Sequence, residues 1–442
     1  MTVVIIGAGP AGLSTAWHLQ QLGHTDLVVL EKQPHVGGLA ASCSPEPGWC
    51  VDIGGHVVFS DRPGYMALVR ELTELRELER RAHVHLAGAL ARYPLQLHLG
   101  DLPDELEQTC LAGLERRPPR PRAGSLEDWL VDSFGDERGC FIPERPAGAR
   151  GPELARVFLL PYNRKLWQVD LHAMSTGWIK GRIAPVPRDP GSRVAWGPNR
   201  RFAYPVEGGV GAIWRSLAGR LGNDVFTRCP VGAVRWKDRE VETPTGPRGY
   251  DWLVSTMPLR ELVASLSLAP PRSVQSAAAG LKCTRLVVTA VGLRGSEPHL
   301  DAHWVYFPEP SFPFYRATVL SRYSHAMAPP GHLLLLAESS LPPDGIARRS
   351  PSIDEVVEGL LRSPLARHLG PKDVVFTWQH HEDGGYPIPT RDRDTRLDAI
   401  HPWLESQQIL SIGRFGSWRY EAGNMDHAEL MGQEAARRVT GG

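Results

Sequence analysis

A stretch near the C-terminal end of the sequence combines glycines with side chains that bind phosphate or sugar oxygens. Residues 413–426 hold two arginines, a tryptophan, a tyrosine and an asparagine among three glycines. Glycine lets the backbone approach a ligand closely, and arginine and tyrosine donate hydrogen bonds to oxygen. The stretch follows a predicted strand at 409–412. We predict that a helix begins at Asp426, with Glu429 completing a capping-box-like pair, and that its positive end faces a bound group. A glycine-rich turn around a packed tryptophan is the alternative interpretation.

The N-terminal residues match a dinucleotide-binding βαβ unit. Apolar runs at 3–6 and 27–30 read as buried parallel strands, and 13–22 reads as the helix between them. The motif G-x-G-x-x-G occupies 7–12, and Glu31 stands about 20 residues further on. Its glycines permit a tight turn against a pyrophosphate, which the helix N-terminus holds. Glu31 is expected to bind a ribose.

Three further features favour FAD over NAD. We predict that the last strand and helix of the chain complete the N-terminal domain. Glycines follow at 37–38, and a second glycine-containing run at 52–59 could line a flavin ring. A strand predicted at 251–256 returns to the same sheet. The sequence therefore predicts a discontinuous α/β domain for FAD.

Composition excludes several classes of function. The chain has 442 residues, 42% hydrophobic and 22% charged, which predicts two or three lobes of a globular enzyme. The formal net charge of +0 gives no attraction to nucleic acid or membrane. No apolar run is long enough to span a bilayer, and because Met1 leads directly into a predicted strand we expect no signal peptide. Six cysteines without a C-x-x-C pair predict no metal site and fit a cytoplasmic location.

Helices are also predicted at 70–81, 125–134 and 151–167. Ser125 and Asp128 have capping-box spacing, and 70–81 reads as a charged surface helix. Loops are expected at 116–122 and 186–199. Strands are expected at 231–236, 251–256, 286–291, 303–307, 314–320 and 332–339. These elements predict the following segments: a first part of the FAD domain at 1–61, a mainly helical lobe at 62–182, a linker with a substrate loop at 183–225, an FAD-domain return at 226–258, a β-rich substrate lobe at 259–390 and the C-terminal part of the FAD domain at 391–442.

Ordered motifs along almost the whole chain resemble the flavin-dependent UDP-galactopyranose mutases, particularly the eukaryotic-type branch. The matching segments are the fingerprint, 54–59, 161–167, 196–199, 204–214, 306–323, 385–390 and 413–427. The resemblance implies a Rossmann-like FAD-binding domain with a helical lobe and a β-sheet substrate lobe. It also implies the cofactor-binding residues Gly7, Gly9, Pro10, Ala11, Gly12, Glu31, Lys32, Gly38, Leu39, Gly54, Gly55, His56, Val234, Ser255, Gly413, Tyr420, Asn424 and Met425.

The chemistry implied by the resemblance is an isomerisation without net redox change. In this family the reduced flavin acts as a nucleophile: N5 forms a covalent adduct with the sugar C1 and displaces UDP, the sugar ring opens, and the 4-hydroxyl closes a furanose. UDP-galactopyranose and UDP-galactofuranose are the default pair. NADPH or NADH is the expected reductant, although the chain has no second fingerprint.

The resemblance also assigns substrate contacts. Arg182 and Arg316 match the arginines beside the diphosphate, where a planar guanidinium binds phosphate oxygens in pairs. His56 is expected to position the flavin near N5, with proton transfer as the alternative, and Arg414 to point toward the sugar. The full set of expected substrate-binding residues is Phe59, Tyr93, Gln96, Phe158, Asn163, Trp167, Arg182, Asn199, Trp304, Tyr306, Arg316, Tyr323, Tyr386 and Tyr420.

Two departures from the family pattern bear on the substrate. Met425 replaces an amide-bearing residue, and the loop at 183–196 is shorter than in the eukaryotic-type enzymes. A related or modified nucleotide sugar is therefore an alternative substrate. A flavin oxidoreductase acting on an amine or a sugar hydroxyl is a second class, which would not need the arginine and tyrosine set. A catalytically silent nucleotide-sugar-binding protein is a third, disfavoured by the intact FAD motifs.

Overall fold

The structure is a computed structural model that describes residues 1–115, 117–118, 120–121, 124–134, 154–179, 182–186, 200–295 and 300–441. Its strands are β1 Val3–Ile6, β2 Leu27–Leu30, β3 Ser42–Cys43, β4 Val51–Asp52, β5 Leu75–Glu79, β6 Ala82–Leu86, β7 Ala89–Arg92, β8 Arg201–Pro205, β9 Val225–Phe226, β10 Val234–Arg235, β11 Glu240–Thr243, β12 Gly246–Gly249, β13 Trp252–Ser255, β14 Arg285–Arg294, β15 Trp304–Tyr306, β16 Arg316–Val319, β17 His332–Leu341, β18 Val374–Glu382 and β19 Ile409–Ser411. Its α-helices are α1 Pro10–Gln21, α2 Pro63–Leu72, α3 Asp104–Glu115, α4 Leu126–Phe134, α5 Leu160–Trp167, α6 Gly211–Leu221, α7 Leu259–Ala264, α8 Arg272–Ala279, α9 Leu320–Tyr323, α10 Ile353–Arg362, α11 Arg393–Ser406, α12 Gly413–Gly416 and α13 Met425–Thr440.

The chain forms two compact units, each assembled from separated segments. The first unit comprises Met1–Glu77, Phe202–Cys283 and Pro387–Gly442, and the second comprises Leu78–Arg201 and Thr284–Tyr386. Among the helices of the described residues, none has the length and apolarity needed to cross a membrane.

The first unit is built on a parallel sheet of five strands in the order β19-β13-β1-β2-β9. Its central strands are continuous apolar runs such as Val3–Ile6, which are buried because helices cover both faces of a parallel sheet. Helix α13 packs closely on α1: a Cβ on Gly432 would lie 2.8 Å from the carbonyl oxygen of Ala11. The last helix of the chain thereby completes the unit that the first strand begins.

The second unit is built on a seven-stranded sheet in the order β18-β14-β17-β16-β15-β6-β7. All its strand pairs are antiparallel except β15 and β6, which run parallel. An apolar cluster covers one region of this unit and includes Val291, Leu335 and Phe314, all 0–1% exposed. This sheet positions several of the predicted substrate residues.

The predicted helix at 70–81 is wrong. Helix α2 ends at Leu72, and the chain continues as the extended strand β5. The carbonyl of Glu74 accepts a hydrogen bond from the amide of Val206 at 3.0 Å, so this backbone bonds to a segment distant in sequence. Pairing of this kind overrides the helical preference of Leu, Glu and Arg. Strands β5, β6 and β7 all lie within the range that the sequence predicts to be mainly helical.

The capping box predicted at Asp426 and Glu429 is also wrong. Asn424 precedes α13, which begins at Met425, and no side chain caps this helix. The Asp426 carboxylate instead accepts from the Ser60 hydroxyl at 2.8 Å. Glu429 binds Arg62 Nη1 at 2.6 Å, because the tertiary fold offers it a cation that local spacing cannot predict.

The capping interaction predicted at Ser125 and Asp128 is confirmed. The Ser125 hydroxyl accepts from the Asp128 amide at 3.2 Å, and the Asp128 carboxylate accepts from the Ser125 amide at 3.3 Å and from its hydroxyl at 2.7 Å. These bonds satisfy amide groups that the first turn of α4 leaves without intrahelical partners.

Candidate active site

Four parallel strands of the first unit end at one edge of its sheet. Ile6 is the register partner of Leu30 and of Ser255, and Ser255 is the partner of Ser411. Ligands of open α/β sheets bind at the carboxyl ends of the strands. The residues that immediately follow these strand ends are Gly7, Glu31, Thr256 and Ile412.

Glycine is sterically required in the fingerprint turn. Gly7 has φ +97°, and a Cβ there would lie 2.1 Å from Thr256 Oγ1. A Cβ on Gly12 would lie 1.9 Å from the Gly7 carbonyl oxygen, which shows how closely the turn packs on α1. Pro10 begins α1, and no side chain caps this end of the helix. Its first amides are therefore available to an anion.

Three separated segments meet around this turn. A Cβ on Gly38 would lie 3.3 Å from Gly9 Cα, and a Cβ on Gly413 would lie 3.2 Å from Ala11 Cβ. Leu39 is partly buried and packs against the apolar core of the unit. The structure thus brings predicted cofactor residues from positions 9, 38 and 413 together.

Glu31 is 7% exposed and supports the fingerprint loop directly. Its carboxylate accepts from the amides of Ala8 and Gln33, each at 2.8 Å. The neighbouring Lys32 is exposed. The Glu31 carbonyl accepts from the Cys229 amide at 2.8 Å, so the chain around Cys229 lies beside the predicted ribose site. A carboxylate keeps further acceptor positions for ribose hydroxyls.

Val234 does not fit its predicted role as a cofactor contact. Its side chain is 0% exposed in the apolar core of the first unit. Its amide donates to the Ser265 carbonyl at 2.8 Å, and its carbonyl accepts from the Ser267 amide at 3.0 Å. These backbone bonds to residues 265 and 267, together with its burial, make Val234 a core residue.

Asp52 is a fully buried acid beside the predicted flavin loop. It accepts hydrogen bonds from the hydroxyls of Ser42, at 2.5 Å, and Tyr204, and from the Val210 amide at 3.2 Å. Burial raises the pKa of Asp52 to about 6, although these three hydrogen bonds lower it. The carboxylate therefore joins three segments at the base of the loop.

The loop with His56 is held at both ends. Asp52 holds its first end, and Val58 exchanges two backbone hydrogen bonds with Ala203, at 2.9 and 2.7 Å, beyond the other. Gly54 has φ +99°, a conformation that favours glycine. The predicted site residues of this loop and its flank that remain partly exposed are Gly55, His56 and Phe59.

The closing stretch folds back on itself. Arg414 donates from Nε, at 3.1 Å, and Nη2, at 2.6 Å, to the Gly423 carbonyl. Arg393, which is 2% exposed, binds both carboxylate oxygens of Glu421 at 2.8 Å. These two arginines fix the loop that carries Tyr420 and Asn424.

The remaining predicted residues of this region differ in exposure. Tyr420 and Asn424 are partly exposed, and Met425 is 8% exposed as the first residue of α13. Ser255 is fully buried, and its hydroxyl accepts from the Met257 amide at 3.3 Å. Ser255 therefore stabilises the turn that follows β13 through this hydrogen bond.

In the second unit, three polar side chains form a row across neighbouring strands. Tyr306 on β15 lies directly opposite Arg316 on β16, and Arg316 lies directly opposite Glu338 on β17. Residues that are opposite in antiparallel strands share one face of the sheet. The Arg316 guanidinium binds the Glu338 carboxylate through Nε and through Nη2, the latter at 2.7 Å.

An aromatic cluster surrounds this row. Tyr162 lies at its centre, with ring centroids 5.5 Å from Tyr306, 5.9 Å from Phe158 and 6.3 Å from Tyr315. The Tyr315 and Tyr386 hydroxyls are 3.4 Å apart. The residues of this aromatic cluster are Tyr93, Phe158, Tyr162, Trp167, Tyr306, Tyr315 and Tyr386.

Asn163 and Trp167 bond to each other one helical turn apart on α5. Asn163 Oδ1 accepts from Trp167 Nε1 at 3.1 Å, and its Nδ2 donates to the Leu159 carbonyl at 2.8 Å. Trp167 is 0% exposed, and its ring centroid is 6.2 Å from that of Tyr386. The structure therefore buries the indole that is predicted to lie on the base and ribose side, and its ring contacts that of Tyr386.

Gln96, predicted to bind uracil, lies beside the segment that carries Arg182. Its Nε2 donates to the Ala184 carbonyl at 3.2 Å. Its Oε1 is buried and has no hydrogen-bond partner within the described ranges. Tyr93 is near, with its ring centroid 4.9 Å from that of Tyr306 and the Arg80 guanidinium 5.2 Å from its centre.

Trp304 and Tyr323 form a second aromatic pair. Their ring centroids are 6.5 Å apart at 87°, and they are 3% and 1% exposed. Each also contacts the ring of His303. The predicted Asn199 lies outside the described residues.

Comparison with known proteins shows the family to which the chain belongs. A family model for flavin-containing amine oxidoreductases matches residues 10–440. A crystal structure of reduced UDP-galactopyranose mutase superposes with a TM-score of 0.89 and 32% identity, covering 100% of this chain and 95% of that one. The chain belongs to the UDP-galactopyranose mutase family, within the flavin-containing amine oxidoreductases.

More distant relatives share the fold or a short segment. A putrescine oxidase bound to putrescine superposes with a TM-score of 0.66 at 19% identity, covering 100% of this chain and 99% of that one, which shows a common fold alone. A 15-cis-phytoene desaturase of Synechococcus elongatus is 37% identical over 83 residues, 19% of this chain and 17% of the desaturase. The matched part thus spans less than a fifth of that curated relative.

The sequence analysis of this UDP-galactopyranose mutase family member did not identify three residues of the row and the aromatic cluster. Tyr162 lies one helical turn from Phe158 and beside Asn163, and that spacing was the available signal. Tyr315 directly precedes Arg316. Glu338 is an acid within the apolar run of β17, where its 1% exposure requires a partner.

One group of potential metal ligands lies apart from these residues. Glu127, Asp170 and His172 are close enough to share an ion. Arg164 Nη2, however, binds Glu127 at 3.0 Å, and the Ser125 hydroxyl bonds His172 Nδ1 at 3.1 Å. Glu127, the buried acid of this group, therefore already has a charged partner in Arg164.

Proposed function

We propose that this protein interconverts the pyranose and furanose forms of a UDP-hexose, by default UDP-galactose, with reduced FAD as its cofactor. The observation that carries the proposal is the row formed by Tyr306 and Arg316, with Tyr386 nearby, in a chain that resembles a UDP-galactopyranose mutase over its full length. An arginine and phenol hydroxyls are the donors that a diphosphate needs.

The residues of the first unit fit FAD. The uncapped start of α1 would hold the pyrophosphate, Glu31 a ribose, and the loop with His56 the flavin ring. A Cβ on Gly9 would lie 3.8 Å from Gly38 Cα, so glycine keeps this approach open to a ligand. When bound and reduced, FAD would supply the nucleophile for covalent catalysis at the anomeric carbon of the sugar. NADPH or NADH is the proposed reductant.

Arg316 is proposed to retain the diphosphate while the sugar rearranges. About 20% of its side chain is exposed, so a ligand can reach it, whereas its Nε and Nη2 are anchored to Glu338. An anchored guanidinium keeps its orientation through departure and return of UDP. Arg182 and Tyr323, in the same unit, are proposed to add further donors to the phosphates.

Gln96 is proposed to recognise the base. The N3–H of uracil is a donor, and the buried Gln96 Oε1 is an acceptor without a partner among the described residues. Tyr93 would supply the stacking face. A cytosine base lacks this N3–H, so the same contact would discriminate between uridine and cytidine nucleotides.

His56 and Arg414 are proposed to act at the sugar end. His56 lies in a loop fastened at Asp52 and Val58, which favours a positioning role over free movement. Arg414 is already bonded to the Gly423 carbonyl and presents a fixed charge. Asn424, which directly precedes α13, would contact the pyrimidine part of the flavin beside the positive end of that helix.

The decisive experiment incubates dithionite-reduced and oxidised enzyme separately with UDP-galactopyranose and follows the products by chromatography. Reduced enzyme should form the furanose isomer, and oxidised enzyme should not. Equal turnover by both redox forms would reject the nucleophilic role of the flavin.

A panel of UDP-N-acetylgalactosamine and deoxy sugars, under the same reducing conditions, tests the alternative substrates. Oxygen uptake with putrescine and other amines tests the oxidoreductase alternative. If the enzyme consumes oxygen with an amine and isomerises no sugar, the proposed isomerisation is rejected and amine oxidation is the better assignment.

A further inference from the structure

Glu338 is an acid placed among residues that are proposed to attract a diphosphate. It is 1% exposed in the middle of β17 and lies directly opposite Arg316. A carboxylate repels phosphate, so its presence needs a reason other than ligand contact. Because both Nε and Nη2 of Arg316 bind it, the pair has the planar geometry that fixes a guanidinium in one orientation.

The same carboxylate connects to a second phosphate-binding candidate. The Tyr315 hydroxyl donates to Glu338 Oε1 at 3.3 Å and lies 3.4 Å from the Tyr386 hydroxyl. The Tyr315 amide also donates to the Glu338 carbonyl at 2.9 Å. One buried acid thereby links Arg316, directly, and Tyr386, through Tyr315, into a hydrogen-bonded network.

The Glu338 carboxylate stabilises the protonated forms of Arg316 and Tyr315. Burial lowers the pKa of the Arg316 guanidinium, but the charge and hydrogen bonds of Glu338 outweigh it, so the pKa lies well above its ordinary value. Burial and the Glu338 charge raise the pKa of Tyr315 well above its usual range. Arg316 stays charged and Tyr315 keeps its proton, so the orientations persist across the working pH range.

We propose that Glu338 is a positioning residue that orients Arg316 and, through Tyr315, Tyr386 before the nucleotide sugar binds. The inference rests on the proposed function. Orientation of this kind removes the need to order a long side chain during the reaction. The carboxylate also balances part of the arginine charge, which limits how tightly the free nucleotide is held and so favours product release.

Glu338→Gln separates these effects from simple binding. The amide keeps the shape but removes the charge and one acceptor position for the guanidinium. We expect kcat of the reduced enzyme to fall about 10-fold to 100-fold, since misplacement by about 1 Å has that effect. The Kd of UDP for the oxidised enzyme, measured by calorimetry, should stay within about threefold or become tighter, because the Arg316 charge is then unopposed.

Two matched variants define what the carboxylate does. Glu338→Asp keeps the charge but withdraws it by one methylene, so a positioning role predicts a loss of kcat here too, whereas a role of charge alone predicts wild-type kcat. Glu382→Gln, on β18 of the same sheet, changes a half-buried acid outside the network and should leave both constants unchanged.

If Glu338→Gln does not fold, Tyr315→Phe provides the test, since it removes only the hydroxyl between Glu338 and Tyr386. We expect a severalfold lower kcat with an unchanged melting temperature. Wild-type kcat in folded Glu338→Gln, or in Tyr315→Phe where the glutamine variant is unfolded, overturns the proposal. A UDP Kd that weakens in parallel with kcat also overturns it, because Glu338 would then only maintain the binding site.

The wild-type enzyme distinguishes this failure from failure of the proposed function. If wild-type enzyme binds UDP and isomerises the sugar, the variants decide the role of Glu338. If it does neither, the proposed function fails and no conclusion about kcat is drawn from the variants; the Kd for inorganic pyrophosphate, compared between wild type and Glu338→Gln, then decides whether Glu338 tunes an anion site. A pyrophosphate Kd that weakens in Glu338→Gln would reject that role, because the proposal expects the affinity to stay within about threefold or to rise.

Discussion

Tyr306 and Arg316 lie directly opposite each other on the antiparallel strands β15 and β16, and their side chains share one face of the sheet. Ten positions apart in sequence, they form neighbouring donors because the chain reverses between the two strands. This relationship places an arginine and a phenol where a single phosphate group could contact both.

Arg316→Ala should weaken the binding of UDP while FAD stays bound. A charge-assisted hydrogen bond contributes about 1.5–3 kcal/mol, which corresponds to a Kd raised about 10-fold to 150-fold. Calorimetric titration of the oxidised enzyme with UDP gives this value, and the flavin absorbance spectrum gives the FAD content.

Arg316→Ala also leaves Glu338 buried without its partner, which can cost about 3–5 kcal/mol of folding stability. Titrations should therefore be compared with Arg316→Ala/Glu338→Gln, which lacks the orphaned charge. Arg285→Ala, at the start of β14 in the same sheet, is the control for loss of an arginine. An unchanged UDP Kd in both Arg316 variants would remove this residue from the site.

Gly12→Ala should abolish tight FAD binding. A Cβ at this position would lie 1.9 Å from the Gly7 carbonyl oxygen, so the fingerprint turn must open or α1 must shift. Gly219→Ala is a matched control in α6, where a Cβ meets nothing within 4 Å. That control should bind FAD normally and gain up to about 1 kcal/mol of stability from the higher helix propensity of alanine. Similar FAD affinity in both variants would show that the turn is not the cofactor site.

The contribution of Asp52 to the stability of the folded protein should fall as pH rises from about 4 to about 6. Its pKa is raised by burial from 3.8 to about 6 in the folded state. Between these values the folded state binds more protons than the unfolded state, so the contribution is fully present below the lower pKa and is lost above the higher one. The expected loss is about 3 kcal/mol.

Asp52→Asn should remove this contribution, so its stability relative to wild type should rise between pH 4 and pH 6, since an amide does not titrate and can still bond Ser42, Tyr204 and Val210. Urea unfolding at pH 4, 5, 6 and 7 measures the change. Asp238→Asn alters an exposed aspartate and serves as the control. A profile of Asp52→Asn that is parallel to wild type would contradict the assignment.

Gln96→Met should reduce the affinity for UDP but not for inorganic pyrophosphate. The substitution removes the buried Oε1 acceptor with little change in volume, and one lost hydrogen bond to the base costs about 1–3 kcal/mol. Parallel titrations with UDP, CDP and pyrophosphate measure the discrimination. Gln379→Met on β18 is the comparison. Equal weakening for UDP and pyrophosphate would point to a general distortion instead of lost base recognition.

Sequence alone was sufficient where the determinants are local. The strands 3–6 and 27–30 match β1 and β2 because continuous apolar runs between turn residues have few other solutions. The capping of α4 by Ser125 and the turn at Gly7 depend on residues within a few positions of each other. The ordered motifs also predicted the UDP-galactopyranose mutase family.

Tertiary structure decided what depends on partners distant in the chain. Helix prediction failed at β5 because its backbone bonds to remote residues, and Glu429 binds Arg62 instead of capping its own helix. Val234 became a core residue through its pairing beside Leu266.

Partners distant in the chain also determine which candidate site residues come together. Residues that follow β1, β13 and β19 meet at one sheet edge only after those strands align in parallel, and Arg316 acquires Glu338 only through the register of β16 with β17. Local patterns specify which residues can bind a phosphate or a ribose. Long-range strand pairing and burial specify which of them share a site and which partners hold them there.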